Sequence, residues 1–140
     1  MKFGINKVTL MGNITRDPEL RYTMNKKAFV QITVACNYSK RTEGAYESAV
    51  DFVPCVGWGR LAETIANYFR KGAPIYLEGK IKIHAYENKN GEKRYMTEVL
   101  IDLIRFIGEH RKDAGSQIDA EDEISAEENN EELSDADMPY

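Results

Sequence analysis

The sequence predicts an all-β domain with one short helix, closed as a five-stranded Greek-key barrel and followed by a disordered acidic tail. Three observations predict it. Apolar residues alternate with period two in several stretches before residue 112, and switch to helical spacing only once. Glycines interrupt the first and fourth strands, as the bends of a small barrel require. All 19 Lys and Arg lie at or before Lys112, whereas residues 113–140 hold 11 of the 23 acids and no base.

The elements follow in order. In residues 7–14, Val8, Leu10 and Ile14 share one face, and Gly12 marks a bend or bulge. Asp17-Pro18 breaks that run. Residues 28–35 form a second strand of β-branched and aromatic residues. A polar loop over residues 39–48 leads to a third strand at 50–58, where Pro54 demands an edge or a bulge. Leu61, Ile65, Tyr68 and Phe69 then make one helical stripe, stopped by Lys71-Gly72 and Pro74. Residues 75–86, interrupted by Gly79, and 94–107 form a hairpin about the turn Asn88-Lys89-Asn90-Gly91. Three strands, a helix and two strands is the arrangement of the OB-fold.

The charge boundary divides the chain into a body, 1–112, and a tail, 113–140. The body sets 19 basic against 12 acidic residues, a net +7, and the tail carries −11. A tail with so few large apolar residues cannot offset its ordering entropy by burial, so disorder is expected there. A basic body tied to a polyanion implies binding of a polyanionic partner. No apolar run is long enough to span a membrane, and the N-terminal residues lack a signal peptide's apolar stretch; a cytoplasmic protein is expected.

Chemistry has little foothold. Cys36 and Cys55 lie 19 apart with no histidine pair, so four zinc ligands are not available, and both are read as buried reduced thiols. His84 and His110 are read as surface or groove-lining residues, since neither sits in a catalytic signature. No catalytic residue, metal or cofactor is expected.

Binding is better supported. Aromatic side chains stack on exposed bases of single-stranded nucleic acid, each contributing about 1–3 kcal/mol whatever the base. Tyr86 near a hairpin tip, Trp58 between Gly57 and Gly59, and Tyr38 at the loop entrance are candidates for stacking. Phe52 stays open between stack and core, while Phe29, Phe69 and Phe106 read as core. Basic clusters such as Lys40-Arg41, Lys80 with Lys82, and Lys93-Arg94 make a phosphate-tracking surface.

These residues also match a family. The segments are Asn6-Lys7-Val8-Thr9-Leu10-Met11-Gly12-Asn13, Asp17-Pro18-Glu19-Leu20-Arg21-Tyr22-Thr23 and Leu61-Ala62-Glu63. They continue through Tyr68-Phe69-Arg70-Lys71-Gly72, Ile75-Tyr76-Leu77-Glu78-Gly79-Lys80, Tyr86-Glu87-Asn88 and Gly91-Glu92-Lys93-Arg94-Tyr95-Met96-Thr97-Glu98-Val99. Over residues 5–108 the chain closely resembles the bacterial and bacteriophage single-stranded DNA-binding proteins.

The resemblance implies an OB-fold assembled as a homotetramer that wraps single-stranded DNA without sequence preference. It implies stacking at Phe52, Trp58 and Tyr86, and at Tyr38 or Lys40 in the loop. Arg21, Lys40, Arg41, Lys80, Lys82, Lys93 and Arg94 would hold phosphates. It also implies that the tip, with Asp135, Asp137, Met138, Pro139 and Tyr140, docks replication, recombination and repair proteins. Ala136 replaces an acid of the family tip and Tyr140 its terminal phenylalanine. The resemblance places the protein in a bacterial or phage-infected cell, associated with the nucleoid. Two other readings stay open: an adaptor in a replication or recombination complex, and a small nuclease.

Overall fold

The computed structural model describes residues 2–108 and 123–125. Its strands are β1 (Val8–Ile14), β2 (Arg21–Tyr22), β3 (Ala28–Thr42), β4 (Ala45–Trp58), β5 (Pro74–Glu87), β6 (Lys93–Phe106) and β7 (Glu123–Ser125). The one helix among the described residues, α1 (Arg60–Tyr68), lies between β4 and β5. The strands run in the order β1-β5-β6-β4-β3, and β1 also pairs with β3, which closes a five-stranded barrel. β4 and β6 are parallel neighbours; the other pairings are antiparallel. The OB-fold reading therefore holds.

Two glycines permit the closure. A Cβ on Gly12 would lie 2.3 Å from the Ala35 carbonyl oxygen, where β1 passes from β5 to β3. A Cβ on Gly79 would lie 2.1 Å from the Leu100 carbonyl oxygen, at the register shift between Glu78 and Gly79. Only glycine lets the backbones approach this closely.

The core is the inside of the barrel. Val30, Ile32 and Val34 from β3 meet Ile75 and Leu77 from β5 and Ile101 from β6. The helical stripe adds Leu61, Ile65 and Phe69, all 1% exposed or less, while Tyr68 and Phe106 are partly buried. Gly59, at φ 64°, precedes the helix, and Gly72, at φ 88°, follows its end.

The structure corrects the loop expected at residues 39–48. β3 and β4 run through it as a continuous antiparallel ribbon, turning at Glu43 and Gly44 with φ 49° and 84°. Two successive positive φ angles match the twist of the flanking strands and make the tight turn. Polar residues on both faces of the ribbon hide its period in the sequence. Pro54 lies opposite Thr33 without any bulge, one residue before β4 meets β6, so it falls at the open edge. The two-residue β2, pairing with Phe29 and Ala28, was not expected.

Of the tail, only residues 123–125 are described, as β7 against Leu103–Arg105 of β6. The disorder expected over the rest of 113–140 lies outside the described residues.

Candidate nucleic-acid interface

Register assigns each candidate to a face. Phe29 lies opposite Trp58, Ala35 opposite Phe52, and Arg41 opposite Tyr46. Opposed residues share a face, and every second residue returns to it. Val30, Ile32, Val34 and Cys55 point into the core, so Phe29, Arg41, Tyr46, Phe52 and Trp58 lie on the outer face. β6 extends that face, because Val56 is level with Leu100. Beyond the bulge, the arm made by β5 and β6 adds Lys80, Lys82, His84 and Tyr86, faced by Leu100, Glu98, Met96 and Arg94. Arg21 joins through its pairing with Phe29.

One outer face thus collects Phe52, Trp58 and Tyr86 with Arg21, Arg41, Lys80, Lys82 and Arg94. Three candidates are not on it. Tyr38, opposite Ala49, and Lys40, opposite Glu47, share the reverse face of the ribbon with Cys36. Lys93, opposite Glu87, lies on the reverse face of the arm with Ile83 and Tyr95, its Nζ 5.6 Å from the Tyr95 ring centre. Two of the outer cations already have carboxylate neighbours: Arg21 reaches Glu19 at 3.1 Å and Arg94 reaches Glu92 at 2.8 Å. Both pairs are exposed, where such contacts contribute little and yield to a phosphate.

The rings differ in access. Phe52 is 62% exposed and Tyr86 39%, whereas Trp58 is 7% exposed. The Trp58 ring packs on Phe29 with centroids 5.3 Å apart and planes tilted by 34°. Val56 and the partly buried Leu100 complete this second cluster. The flanking glycines serve other ends. Gly59 takes the positive φ before α1, and a Cβ on Gly57 would press on Ile65 at 3.3 Å. The core reading of Phe29 is borne out, but in this outer cluster and not inside the barrel.

The same face holds a further exposed ring, to which sequence reasoning assigned no stacking site of its own. Tyr46 is 75% exposed and faces Arg41 near the ribbon's end. Its alternation with Ser48, Val50 and Phe52 would reveal it once residues 45–58 are read as one strand.

The reading of His84 is also corrected, while His110 lies outside the described residues. His84 is buried, its Nε2 3.2 Å from Oε1 of Glu98, which is 2% exposed. The cause is a diagonal pairing across β5 and β6 that a one-dimensional reading cannot show. Burial pushes the Glu98 carboxyl up to about 7 and the Cys55 thiol up to about 12. Cys36 is only half-buried, so the buried-thiol reading holds for Cys55 alone. Among the described residues, no three His, Cys, Asp or Glu side chains come together to hold a metal. The docking-tip residues Asp135, Asp137, Met138, Pro139 and Tyr140 lie outside the described residues.

The family model described as the single-strand binding protein family matches residues 5–107. The chain belongs to this family.

Its relatives include the single-stranded DNA-binding protein of Halalkalibacterium halodurans, 37% identical over 117 residues, which are 82% of this chain and 69% of that protein. Single-stranded DNA-binding protein A of Bacillus subtilis is 38% identical over 103 residues, 74% of this chain and 59% of its own length. Single-stranded DNA-binding protein 4 of Streptococcus agalactiae is 35% identical over 139 residues, 97% of this chain and 99% of that one. The chain therefore spans less than two thirds of the Bacillus relative but nearly all of the streptococcal one. The family match takes in all five barrel strands and the whole outer face, and ends before β7.

Proposed function

We propose that this chain binds single-stranded DNA without sequence preference. Bases stack on Phe52 and Tyr86, and the phosphates follow Arg21, Arg41, Lys80, Lys82 and Arg94. One observation carries the reading: a single outer face joins exposed rings to five cations. Stacking is blind to base identity and charge neutralisation is blind to sequence, so together they give affinity without readout. Membership of the family and the names of its relatives support it. The role is binding and not catalysis.

The finer reading extends this. The body, 1–112, is the binding domain, and assembly as a homotetramer lets one strand wrap around several outer faces. The tail, 113–140, carries Asp135, Asp137, Met138, Pro139 and Tyr140 to proteins of replication, recombination and repair in the cytoplasm. No helix among the described residues is long and apolar enough to cross a membrane.

Fluorescence anisotropy of labelled oligo-dT tests the reading. Binding should weaken with salt, with a slope of about −0.7 per phosphate neutralised. Binding to duplex at least as tight as to oligo-dT would refute it. Light scattering with and without oligo-dT gives the assembly; a monomer in both conditions removes wrapping. Deleting 113–140 should abolish capture of partner proteins while oligo-dT affinity is kept or raised at low salt.

A further inference from the structure

Besides the exposed Glu19 and Glu92, the outer face holds a buried acid that phosphate binding does not use. Glu98 sits among the rings and cations, level with Lys82 on β5 and two residues from Leu100. A carboxylate beneath a surface meant for phosphates opposes that binding unless it is neutralised. His84, 3.2 Å away and 7% exposed, is the group placed to neutralise it.

His84 has a second distinction. The arm beyond Lys80 leaves the barrel, since β6 meets β4 only at Val99 and Leu100. Between residues 80 and 97 every other side chain is exposed or half-buried; His84 alone is buried. Tyr86 follows it on the same face. Asn6 also meets the arm, its side-chain amide donating to the Ile81 carbonyl and accepting from the Ile81 N–H, each at 2.8 Å, but that contact is exposed, and His84–Glu98 is a buried one.

We propose that His84 and Glu98 form a positioning pair, tying β5 to β6 at the base of the Tyr86 arm and making single-strand binding depend on pH through the proton that the pair holds. The inference rests on the single-strand reading above.

The sign follows from charge. With one proton between them the pair is neutral, whichever atom holds it. Loss of that proton leaves a buried anion under the phosphates. Burial pushes the carboxyl up to about 7, so the proton leaves across the neutral range. The groups that face Glu98 are His84 and Lys82 from β5, and Cys55 of β4, on the core side, lies near enough to feel its charge. The Cys55 thiol, pushed up to about 12 by its burial first and then by Cys36 and Glu98, stays neutral throughout. Nearby phosphates favour the protonated pair, so by linkage DNA affinity falls as pH rises.

The test is oligo-dT anisotropy at pH 6, 7 and 8 and constant ionic strength, on wild type, Glu98→Gln and His84→Gln. Wild-type affinity should fall about three- to tenfold from pH 6 to pH 8, the scale of one charge near phosphates. In Glu98→Gln the two end values should agree within about twofold, because glutamine keeps the shape and cannot ionise. Parallel profiles in wild type and Glu98→Gln overturn the inference. If Glu98→Gln does not fold, His84→Gln decides: a displaced step supports the pair, and the wild-type profile overturns it. Wild type that fails to bind oligo-dT at pH 6 would instead sink the single-strand reading itself.

Discussion

Phe29 and Trp58 face each other across the β3–β4 ladder, their ring centroids 5.3 Å apart on the outer wall of the barrel. Trp58 is 7% exposed in this pair, so its truncation removes packing before it removes any contact with a base. Trp58→Ala should lower the unfolding free energy by about 3 kcal/mol, as large-to-small changes of buried aromatics do. Urea denaturation measures it. Tyr86→Ala should leave the urea midpoint nearly unchanged and weaken oligo-dT binding by about 1–3 kcal/mol. A stable Trp58→Ala protein with lost affinity would return that ring to the strand-binding surface.

The cations divide by face in the same way. Lys80 lies opposite Leu100 on the outer face, and Lys93 lies opposite Glu87 on the reverse. Lys80→Gln should reduce the salt slope of oligo-dT binding by about 0.7, the contribution of one phosphate contact. Lys93→Gln should leave that slope where it was. Equal losses would mean that DNA contacts both sides of the arm.

Much of the fold was legible because the barrel strands alternate against a single core. Val8, Leu10 and Ile14, or Val30, Ile32 and Val34, announce their period directly. The helix was legible for the same reason, through Leu61, Ile65 and Phe69. The projecting ribbon has no core beneath it, so residues 39–48 read as loop although they pair in unbroken register. The site suffered from that misreading. Without the ribbon's register, Tyr38 and Lys40 cannot be told from residues that face outward, and Tyr46 has no place at all. The burial of Trp58 was hidden for another reason: its partner Phe29 lies 29 positions earlier, and only the ladder brings them together.

Tyr46 offers a direct check on that register. It lies six residues before Phe52 on one strand and one face, about 20 Å away at the usual rise per residue. A strand long enough to reach both rings gains a further stack that a short one cannot. Tyr46→Ala should therefore weaken long oligo-dT by about 1 kcal/mol or more and leave the shortest binding oligomer almost unaffected. Tyr38→Ala, on the reverse face, should show no such length dependence.

Glycine substitutions test how the barrel and its arm are joined. At Gly79 an added Cβ would meet the Leu100 carbonyl oxygen at 2.1 Å and its carbon at 3.0 Å. Those are backbone atoms, so no side chain can swing aside to make room. The clash falls at the register shift between Glu78 and Gly79, where the barrel half of β5 gives way to the Tyr86 arm. Gly79→Ala should force β5 and β6 apart there, costing several kcal/mol and re-aiming the arm, so affinity falls with stability. Gly44 poses a different problem: nothing lies within 4 Å, but its φ of +84° strains any other residue, at about 1 kcal/mol. Gly4 has open space and no positive φ, so alanine there should change stability by less than about 0.5 kcal/mol. Urea midpoints should therefore fall in the order Gly4→Ala, Gly44→Ala, Gly79→Ala. A Gly79→Ala protein as stable as Gly44→Ala would mean that the two strands do not approach this closely.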